Sequence, residues 1–288
     1  MEVHVVDGTY ELFRYHFGPS NRDPAHGATR GVLTSLLTML EDGATHVGVA
    51  TDHVIESFRN DLWPGYKTSA GMPPELLGQF QLLEDVLAAA GFAVWPQVEF
   101  EADDGMAAAA ALAAADPRVS RVLICTPDKD LGQCVGGKVV QFDRRKGEIV
   151  DADGVRARLG VAPESVPDLL ALVGDSADGF PGLPGWGAKS AATVLSRWGR
   201  LEDIPASVAA WQVTVRGAAK LSATLRDQFE LAVLFRRIAT VVPDAPVSPS
   251  VDAMRWTGPV DPAAFAALCT RIGAPALPTR VATLAGGR

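Results

Sequence analysis

The chain has 288 residues, of which 48% are hydrophobic and 21% charged, a composition typical of a folded globular protein. No apolar run is long enough to cross a bilayer, and the N-terminal sequence MEVHVVDG lacks the basic region of a signal peptide. We therefore expect a cytoplasmic protein with no membrane partner. Three cysteines without a CxxC pair and five scattered histidines argue against a disulfide framework and against a zinc site.

The first half of the chain alternates short β-rich runs with helical patterns of apolar residues. This alternation predicts an α/β fold with a mostly parallel sheet flanked by helices. Strands are predicted at residues 3–6, 46–51, 93–95, 121–125 and 139–142. Apolar spacing predicts helices at residues 31–40, 75–90 and 101–115. Residues 55–74 interrupt the pattern as a long excursion, and such excursions in compact domains are usually functional or mobile.

Near residue 163 the pattern changes to helices joined by turns. The helices are predicted at residues 166–173, 188–198, 221–238 and 262–272. A glycine-rich segment, LVGDSADGFPGLPGWGAK at residues 172–189, joins the first two of them. Its glycines permit positive φ and close backbone approach, and the helix N-terminus that follows suits a DNA phosphate. The alternative interpretation is a Gly/Pro-rich connector between two helices.

Nine carboxylates stand where predicted strands end, where helices begin or in turns. They are Asp7, Asp52, Glu101, Asp103, Asp104, Asp128, Asp130, Asp175 and Asp178. Two such charges about 4 Å apart repel by roughly 4 kcal/mol at an effective dielectric near 20, so a fold that gathers them requires cations. Hard divalent ions with oxygen ligands, Mg²⁺ or Mn²⁺, are the obvious candidates. When these nine charges are set aside, the formal net charge of −8 becomes +1, so the acidic total does not exclude a nucleic-acid partner.

Each acidic motif also has a structural interpretation. A lone aspartate after a strand, such as Asp7, is most often a helix cap or a turn residue. Acids in the first turn of a helix, as at residues 101–104, complement the helix dipole. The sequence PDKDLGQ at residues 127–133 is equally compatible with a solvated Asx turn. The recurrence of acids in all these places favours the metal interpretation.

Five segments, taken in order, resemble the bacterial 5′→3′ exonuclease and flap endonuclease family, which includes the 5′-nuclease domain attached to DNA polymerase I. They are VDGTYELFR, SFRNDLWPGYK, EFEADDGMA, TPDKDLGQ and GDSADGFPGLPGWGAKSAATVL. The resemblance runs from residue 3 to about residue 238 and more weakly to the end. It implies a PIN-like 5′-nuclease domain at residues 1–165, with an arch at about residues 53–74. It also implies a helical domain at residues 166–288, with a helix-three-turn-helix motif at about residues 170–198.

The resemblance implies a divalent-metal-dependent 5′→3′ exonuclease and structure-specific 5′-flap endonuclease. Such an enzyme hydrolyses DNA phosphodiesters by a two-metal mechanism, in replication, where it removes RNA primers, and in repair. Its cofactors would be two or three Mg²⁺ or Mn²⁺ ions, with K⁺ on backbone oxygens of the helix-three-turn-helix. Its partners would be DNA with a 5′ flap or 5′ end and a DNA polymerase acting in trans. We expect the protein to be a monomer.

The same resemblance assigns roles to individual residues. Four acids lie toward one metal, namely Asp7, Asp52, Glu101 and Asp103. Four lie toward the second, namely Asp128, Asp130, Asp175 and Asp178, with Asp104 near the boundary. Lys67 and Arg59 are the catalytic cations of the arch, and Tyr66 beside them contacts DNA. The other predicted DNA-binding residues are Gly182, Gly185, Gly187, Lys189 and Ser190.

The chain departs from the family pattern, and two other functions stay open. No Lys or Arg occurs from residue 68 to residue 117, and Gly179 stands where the family often has Asn. We expect no polymerase domain to follow. One alternative is a catalytically weak DNA-structure-binding protein. The other is a metal-dependent phosphohydrolase of small phosphorylated substrates, because VVDGT resembles the haloacid-dehalogenase signature DxDGT. Val5, however, occupies the position of that family's nucleophile.

Overall fold

The computed structural model describes residues 1–287. Its strands, β1 to β6 in chain order, are Glu2–Asp7, His46–Asp52, Ala93–Gln97, Arg121–Cys125, Val139–Asp143 and Glu148–Val150. Its helices, α1 to α13, are Gly8–His16, Gly27–Glu41, Phe58–Leu62, Pro74–Leu77, Phe80–Ala89, Ala102–Ala115, Ala152–Leu159, Val166–Val173, Ala188–Trp198, Ala218–Asp227, Phe229–Ala239, Pro262–Arg271 and Leu277–Gly286. A 3₁₀ helix at Lys129–Cys134 carries part of the candidate site. The predicted α/β class is confirmed.

Two compact units divide the chain. Unit 1 comprises Met1–Ser57, Ser69–Thr126 and Val242–Arg288, and unit 2 comprises Phe58–Thr68 and Pro127–Val241. These bounds differ from the predicted division at residues 165 and 166. Residues 127–165 group with the helical part of the chain, while the last part of the chain groups with the sheet. Backbone contacts between distant parts of the chain, which composition does not report, define these units, and the division at residue 165 stays a prediction.

Four parallel strands form the centre of unit 1, in the order β3-β2-β1-β4. All seven residues of β2 are buried, as expected for a parallel strand covered on both faces. Helix α6 contacts β1, β2 and β4, and α5 contacts β2 and β3. Strands β1 and β2 end in Asp7 and Asp52, so the carboxyl ends of two neighbouring strands each present an acid at the same edge of the sheet.

Unit 2 holds a two-stranded antiparallel hairpin, β5–β6, and helices α7 to α11. Its core contains Phe180, Trp186, Trp211 and Phe235, each at most 6% exposed. Helices α8 and α9 match the predicted bounds of 166–173 and 188–198. No helix within residues 1–287 combines the length and apolar character needed to span a membrane.

Two predicted helices are wrong because each is broken by a glutamine. The helix predicted at 75–90 is two helices, α4 and α5, separated by Gly78 and Gln79. The buried Gln79 amide oxygen accepts from the Thr29 N–H at 3.0 Å and from its hydroxyl at 3.1 Å. The helix predicted at 221–238 is likewise two helices, α10 and α11, because Gln228 adopts φ −122° and ψ 29°.

The excursion predicted as an arch is partly packed into unit 2. Its central part, Phe58–Thr68, contains the five-residue helix α3. The Trp63 ring packs edge-on against Phe235, with ring centroids 5.1 Å apart. Tyr66 is 4% exposed and belongs to the hydrophobic core of the unit. This segment is therefore held by apolar contacts.

Candidate functional site

Three of the predicted acids come together in unit 2. One carboxylate oxygen from each of Asp130, Asp175 and Asp178 lies within 4.8 Å of the others. Three oxygen ligands in this arrangement suit a hard divalent cation. We call these residues the acid triplet.

Local structure fixes the acid triplet. Asp130 lies in the first turn of the 3₁₀ helix, and its N–H donates to Asp128 Oδ1 at 2.9 Å. Asp175 and Asp178 lie in a tight turn after α8, in which the Asp175 carbonyl accepts from the N–H groups of Gly179 and Phe180 at 2.9 and 3.1 Å. Gly179 has φ 83°, a left-handed value that favours glycine.

Two lysines meet the acid triplet. The Lys129 ammonium lies 3.3 Å from Asp130 Oδ1 and forms a close ion pair with Asp175 Oδ2. The Lys67 ammonium lies 3.0 Å from Asp178 Oδ1. Burial alone would lower the pKa of Lys129, but the charges of Asp130 and Asp175 raise it above its ordinary value. Lys129 is therefore charged at neutral pH.

Asp130 is the member of the acid triplet that most needs a further cation. Burial, followed by the charge of Asp128, raises the pKa of Asp130 to about 7, although Lys129 opposes the shift. Its Oδ1 is buried and accepts no hydrogen bond. Burial also raises the pKa of Asp175, but the hydrogen bond from Lys129 holds it below its ordinary value. A divalent ion would give this Asp130 oxygen a closer partner than the Lys129 ammonium at 3.3 Å, so the residues present fit such an ion.

The segment that carries Lys67 is joined directly to the turn that carries the acids. The Lys67 N–H donates to the Asp178 carbonyl at 2.9 Å, and Trp63 Nε1 donates to the Gly179 carbonyl at 3.1 Å. A Cβ atom on Gly179 would lie 2.1 Å from the Gly65 carbonyl oxygen. Glycine at 179, noted above as a departure from the family, is thus what lets this segment approach the turn.

Asp128, the fourth acid predicted for this group, is exposed and begins the 3₁₀ helix as its cap. Its Oδ1 accepts the Asp130 N–H, so part of its hydrogen-bonding capacity serves the local turn. The Asx-turn interpretation of PDKDLGQ and the acidic-site interpretation therefore both describe this motif.

Three predicted ligands of unit 1 accept hydrogen bonds: Asp7 and Asp52 at the carboxyl ends of β1 and β2, and Glu101 at the start of α6. Asp7 accepts from the Tyr10 N–H at 2.8 Å and from the Thr126 hydroxyl at 3.0 Å. Asp52 accepts from the Ala102 N–H at 2.7 Å, which ties β2 to the start of α6. Glu101 accepts from the Ser57 hydroxyl at 2.6 Å. All three side chains are buried and have little contact with water. These hydrogen bonds therefore fix the orientation of the carboxylates.

Asp104 caps the start of α6. It is fully buried, and its two oxygens accept the main-chain N–H groups of Glu101 at 3.0 Å and Val242 at 2.8 Å. The first contact is half of a capping box at the start of α6. The ligand role of Asp104 stays a prediction beside this observed capping role. Asp103, its neighbour in the first turn, is half-buried.

Two predicted site residues of the arch segment, Arg59 and Tyr66, have buried side chains. Arg59 is 3% exposed, and its guanidinium donates to the carbonyls of Ile238 at 2.7 Å and Thr240 at 3.1 Å, at the C-terminal end of α11. Arg59 supplies donors that the helix end needs, and its catalytic role stays a prediction. Tyr66 is in the core of unit 2, so its ring offers no stacking face in this structure.

The glycine-rich segment separates into a packing part and an exposed part. Gly182 is buried, and a Cβ there would lie 2.4 Å from the Gly174 nitrogen, so its role is close backbone packing. Gly185, Gly187 and Lys189 are exposed. The Ser190 hydroxyl accepts from the Gly187 N–H at 3.0 Å and donates to the Gly187 carbonyl at 2.9 Å, which begins α9.

A cleft of about 610 Å³ opens at this helix start. Lys189, Ser190 and Arg216 are among the residues that line it. The positive end of α9 and two basic side chains suit a phosphate group. Sequence reasoning missed Arg216, because no motif surrounds it.

Three further residues that contact predicted acids were not predicted from the sequence: Lys129, Ser57 and Thr126. Lys129 could have been predicted from the sequence, because it stands between two acids in PDKD. The two hydroxyl residues could not have been, because Thr126 is 119 positions from its partner Asp7 and Ser57 is 44 from Glu101.

Comparison with known proteins gives two adjoining family matches. Residues 2–160 match the model of the 5′-3′ exonuclease N-terminal resolvase-like domain, and residues 161–262 match the 5′-3′ exonuclease C-terminal SAM fold. The chain is 33% identical over 263 residues to DNA polymerase I of Mycobacterium leprae, and 33% identical over 264 residues to that of Bacillus caldotenax. The alignments cover 87% and 88% of this chain but 28% and 29% of those relatives.

Solved structures of low sequence identity share the fold. A zinc-bound T5 5′-exonuclease superposes with a TM-score of 0.68 at 19% identity, covering 94% of this chain and 100% of the other. The catalytic core of Rad2 in complex with DNA substrate gives 0.63 at 14% identity, covering 98% and 89%. Flap endonuclease-1 from Methanococcus jannaschii gives 0.58 at 14% identity, covering 99% and 93%.

Proposed function

Because the chain belongs to the 5′-3′ exonuclease family, we propose that it hydrolyses DNA phosphodiesters from a 5′ end. It acts as a divalent-metal-dependent 5′-3′ exonuclease and a structure-specific 5′-flap endonuclease. The observation that carries this proposal is the acid triplet with Lys67 on Asp178. The structures similar to this chain include an exonuclease with divalent metal ions and a nuclease core with DNA substrate, which supports the same choice.

The metal ligands proposed for one ion are Asp130, Asp175 and Asp178, with Asp128 beside them. Those proposed for a second ion are Asp7, Asp52, Glu101 and Asp103. When bound, Mg²⁺ or Mn²⁺ supplies Lewis-acid chemistry to the phosphodiester and lowers the pKa of water. We also propose a third divalent ion, and a K⁺ ion on the backbone of residues 170–198. Neither is assigned a role in the hydrolysis.

The chain's own residues bind and orient the substrate. Lys67 neutralises charge that develops on the phosphoryl oxygens, because its ammonium reaches Asp178 and so lies at the acid triplet. Arg59 acts indirectly, by fixing the segment that carries Lys67 to the end of α11. Lys189 and Arg216 bind duplex phosphates at the start of α9. Such contacts contribute affinity for DNA but no sequence specificity.

The proposed biological setting is DNA replication and repair. The proposed substrates are DNA ends or flaps that arise in replication and repair, including the RNA-primed strands that replication leaves. A DNA polymerase would act in trans, and the protein would work as a cytoplasmic monomer. The chain spans less than a third of the length of the DNA polymerase I relatives, so their other activities are not extended to it.

The test is cleavage of a 5′-labelled flap duplex with Mg²⁺ or Mn²⁺. We expect short 5′ products that EDTA abolishes. Asp175→Asn removes one charge from the acid triplet and should lower the cleavage rate by about 100-fold or more, since even residues that only orient metal ligands are worth about 10–100-fold. The matched control is Asp153→Asn, an acid 91% exposed in the same unit, which should cleave normally.

Three outcomes would contradict the proposal. Full cleavage by Asp175→Asn would remove the acid triplet from catalysis. DNA binding without cleavage in any divalent metal would indicate a DNA-structure-binding protein. Hydrolysis of a small phosphate ester in place of DNA would indicate a metabolite phosphohydrolase.

A further inference from the structure

The acid triplet already contains positive charge supplied by the chain itself. Lys129 reaches two of its members, Asp130 and Asp175, and Lys67 reaches the third, Asp178. Two ammonium groups thus face three carboxylates. The chain supplies cations at the place where the proposed function requires a divalent ion.

Lys129 and a divalent ion have overlapping requirements. An ion bound to carboxylate oxygens at about 2.0–2.6 Å would take up the space and the charge that the Lys129 ammonium now occupies between Asp130 and Asp175. Like charges at such short range repel strongly in a partly buried site. Both cations cannot keep the same oxygens as close partners.

Lys129 is built so that its ammonium alone can leave. Its backbone is held in the 3₁₀ helix that Asp128 caps, while its side chain is 44% exposed at the surface of the unit. A lysine carries a compact charge on a flexible stem, so rotation about its side-chain bonds moves the ammonium into water. The Lys129 ammonium makes no hydrogen bond to Asp130 Oδ1. Lys129 therefore neutralises the Asp130 carboxylate without satisfying its hydrogen-bonding capacity.

We propose that Lys129 is a resident counterion of the acid triplet, which a divalent ion displaces from Asp130 and Asp175 when it binds. Lys129 therefore lowers the affinity of this group for metal and keeps the acids neutralised in the metal-free protein. This inference rests on the proposed function, because it takes the acid triplet as a metal site.

The experiment measures Mn²⁺ binding to the full chain without DNA, by calorimetry and by the electron paramagnetic resonance signal of free Mn²⁺. Lys129→Met keeps the length of the side chain and removes its charge. It should bind Mn²⁺ about threefold to tenfold more tightly than the wild type, the scale expected when a half-exposed ion pair no longer competes. Lys129→Arg keeps the charge and forms a more rigid, two-pronged pair, so it should bind Mn²⁺ more weakly than the wild type.

Lys146→Met is the matched control. Lys146 is an exposed lysine of the same unit that pairs with Asp143 at 3.5 Å, outside the acid triplet. Its removal should leave Mn²⁺ affinity unchanged. A lysine that merely stabilised the fold would not move affinity in opposite directions when replaced by Met and by Arg.

Equal or weaker Mn²⁺ binding by Lys129→Met overturns the proposal, and so does equal or tighter binding by Lys129→Arg. If Lys129→Met fails to fold, the Arg variant alone decides by that criterion. Asp175→Asn separates this proposal from the proposed function. If that variant binds as many Mn²⁺ ions as the wild type does, and with the same affinities, no ion binds at the acid triplet and the proposed function fails, because the acid triplet carries it. If it binds weakly but Lys129→Met is not tighter than the wild type, only the counterion proposal fails.

Discussion

Replacing Gly179 by Ala should detach the Lys67 segment from the acid-bearing turn. Glycine at this position has φ 83°, and a residue with a Cβ pays about 1–2 kcal/mol for a left-handed conformation. The added Cβ would also lie 2.1 Å from the Gly65 carbonyl oxygen, closer than any real contact, so the two backbones must separate. Separation breaks the hydrogen bonds from the Lys67 N–H and from Trp63 Nε1, each worth about 1 kcal/mol.

The total is about 3–4 kcal/mol of the free energy of unfolding, by adding the strain and the two lost hydrogen bonds. The matched control is Gly217→Ala, at a glycine with φ 74° around which a Cβ would meet nothing within 4 Å. Gly217→Ala introduces the left-handed strain but no steric clash. The difference in stability between the two variants therefore measures the effect of the clash with Gly65. The difference between the two variants should be about 2 kcal/mol, or roughly 4–8 °C in Tm for a protein of this size.

The assay is thermal and urea unfolding of both variants beside the wild type, followed by cleavage of the flap duplex. Gly179→Ala should also cleave more slowly than Gly217→Ala, because Lys67 loses its fixed place at Asp178. Equal stability of the two variants would refute the reasoning, since it would mean that the close approach of residues 65 and 179 contributes nothing.

Three further predictions concern stability, pH and DNA. Asp104→Ala should cost about 2–4 kcal/mol in urea unfolding, because it leaves the N–H groups of Glu101 and Val242 without acceptors, whereas Asp153→Ala should cost under about 0.5 kcal/mol. In metal-free buffer, Asp130 has a folded pKa of about 7 against an ordinary value of 3.8, so it binds more protons folded than unfolded. Its contribution to stability is therefore lost as pH rises from about 4 to about 7. In unfolding measured at several pH values, the free energy of unfolding of Asp130→Asn should rise relative to that of the wild type over this window. A constant difference between the two proteins across the window would contradict the pKa shift. Lys189→Ala should weaken duplex binding and reduce the slope of log affinity against log salt by about 0.9, the effect of one phosphate contact, and Lys146→Ala should not; an unchanged slope would take Lys189 out of the interface.

Part of the fold was predictable because it depends on short-range patterns. Apolar runs that end in an acid predicted β1 and β2 with Asp7 and Asp52 at their carboxyl ends. The apolar spacing of α8 and α9 predicted their bounds, since one face of each helix packs on the core. The breaks at Gln79 and Gln228 were not predicted, because helical spacing continues through both while tertiary contacts or backbone geometry interrupt the helix.

The sequence by itself determined which residues carry charge and where strands and helix starts present it. That was enough to find the acids and to connect them with divalent metal. Only the tertiary structure decided what each polar group meets. Asp104 accepts from an N–H group 138 residues away, Arg59 donates to a carbonyl 179 residues away, and Lys129 reaches Asp175 across 46 residues. The physical reason is that a buried donor or acceptor must find a partner, and the fold, not the neighbouring sequence, supplies it.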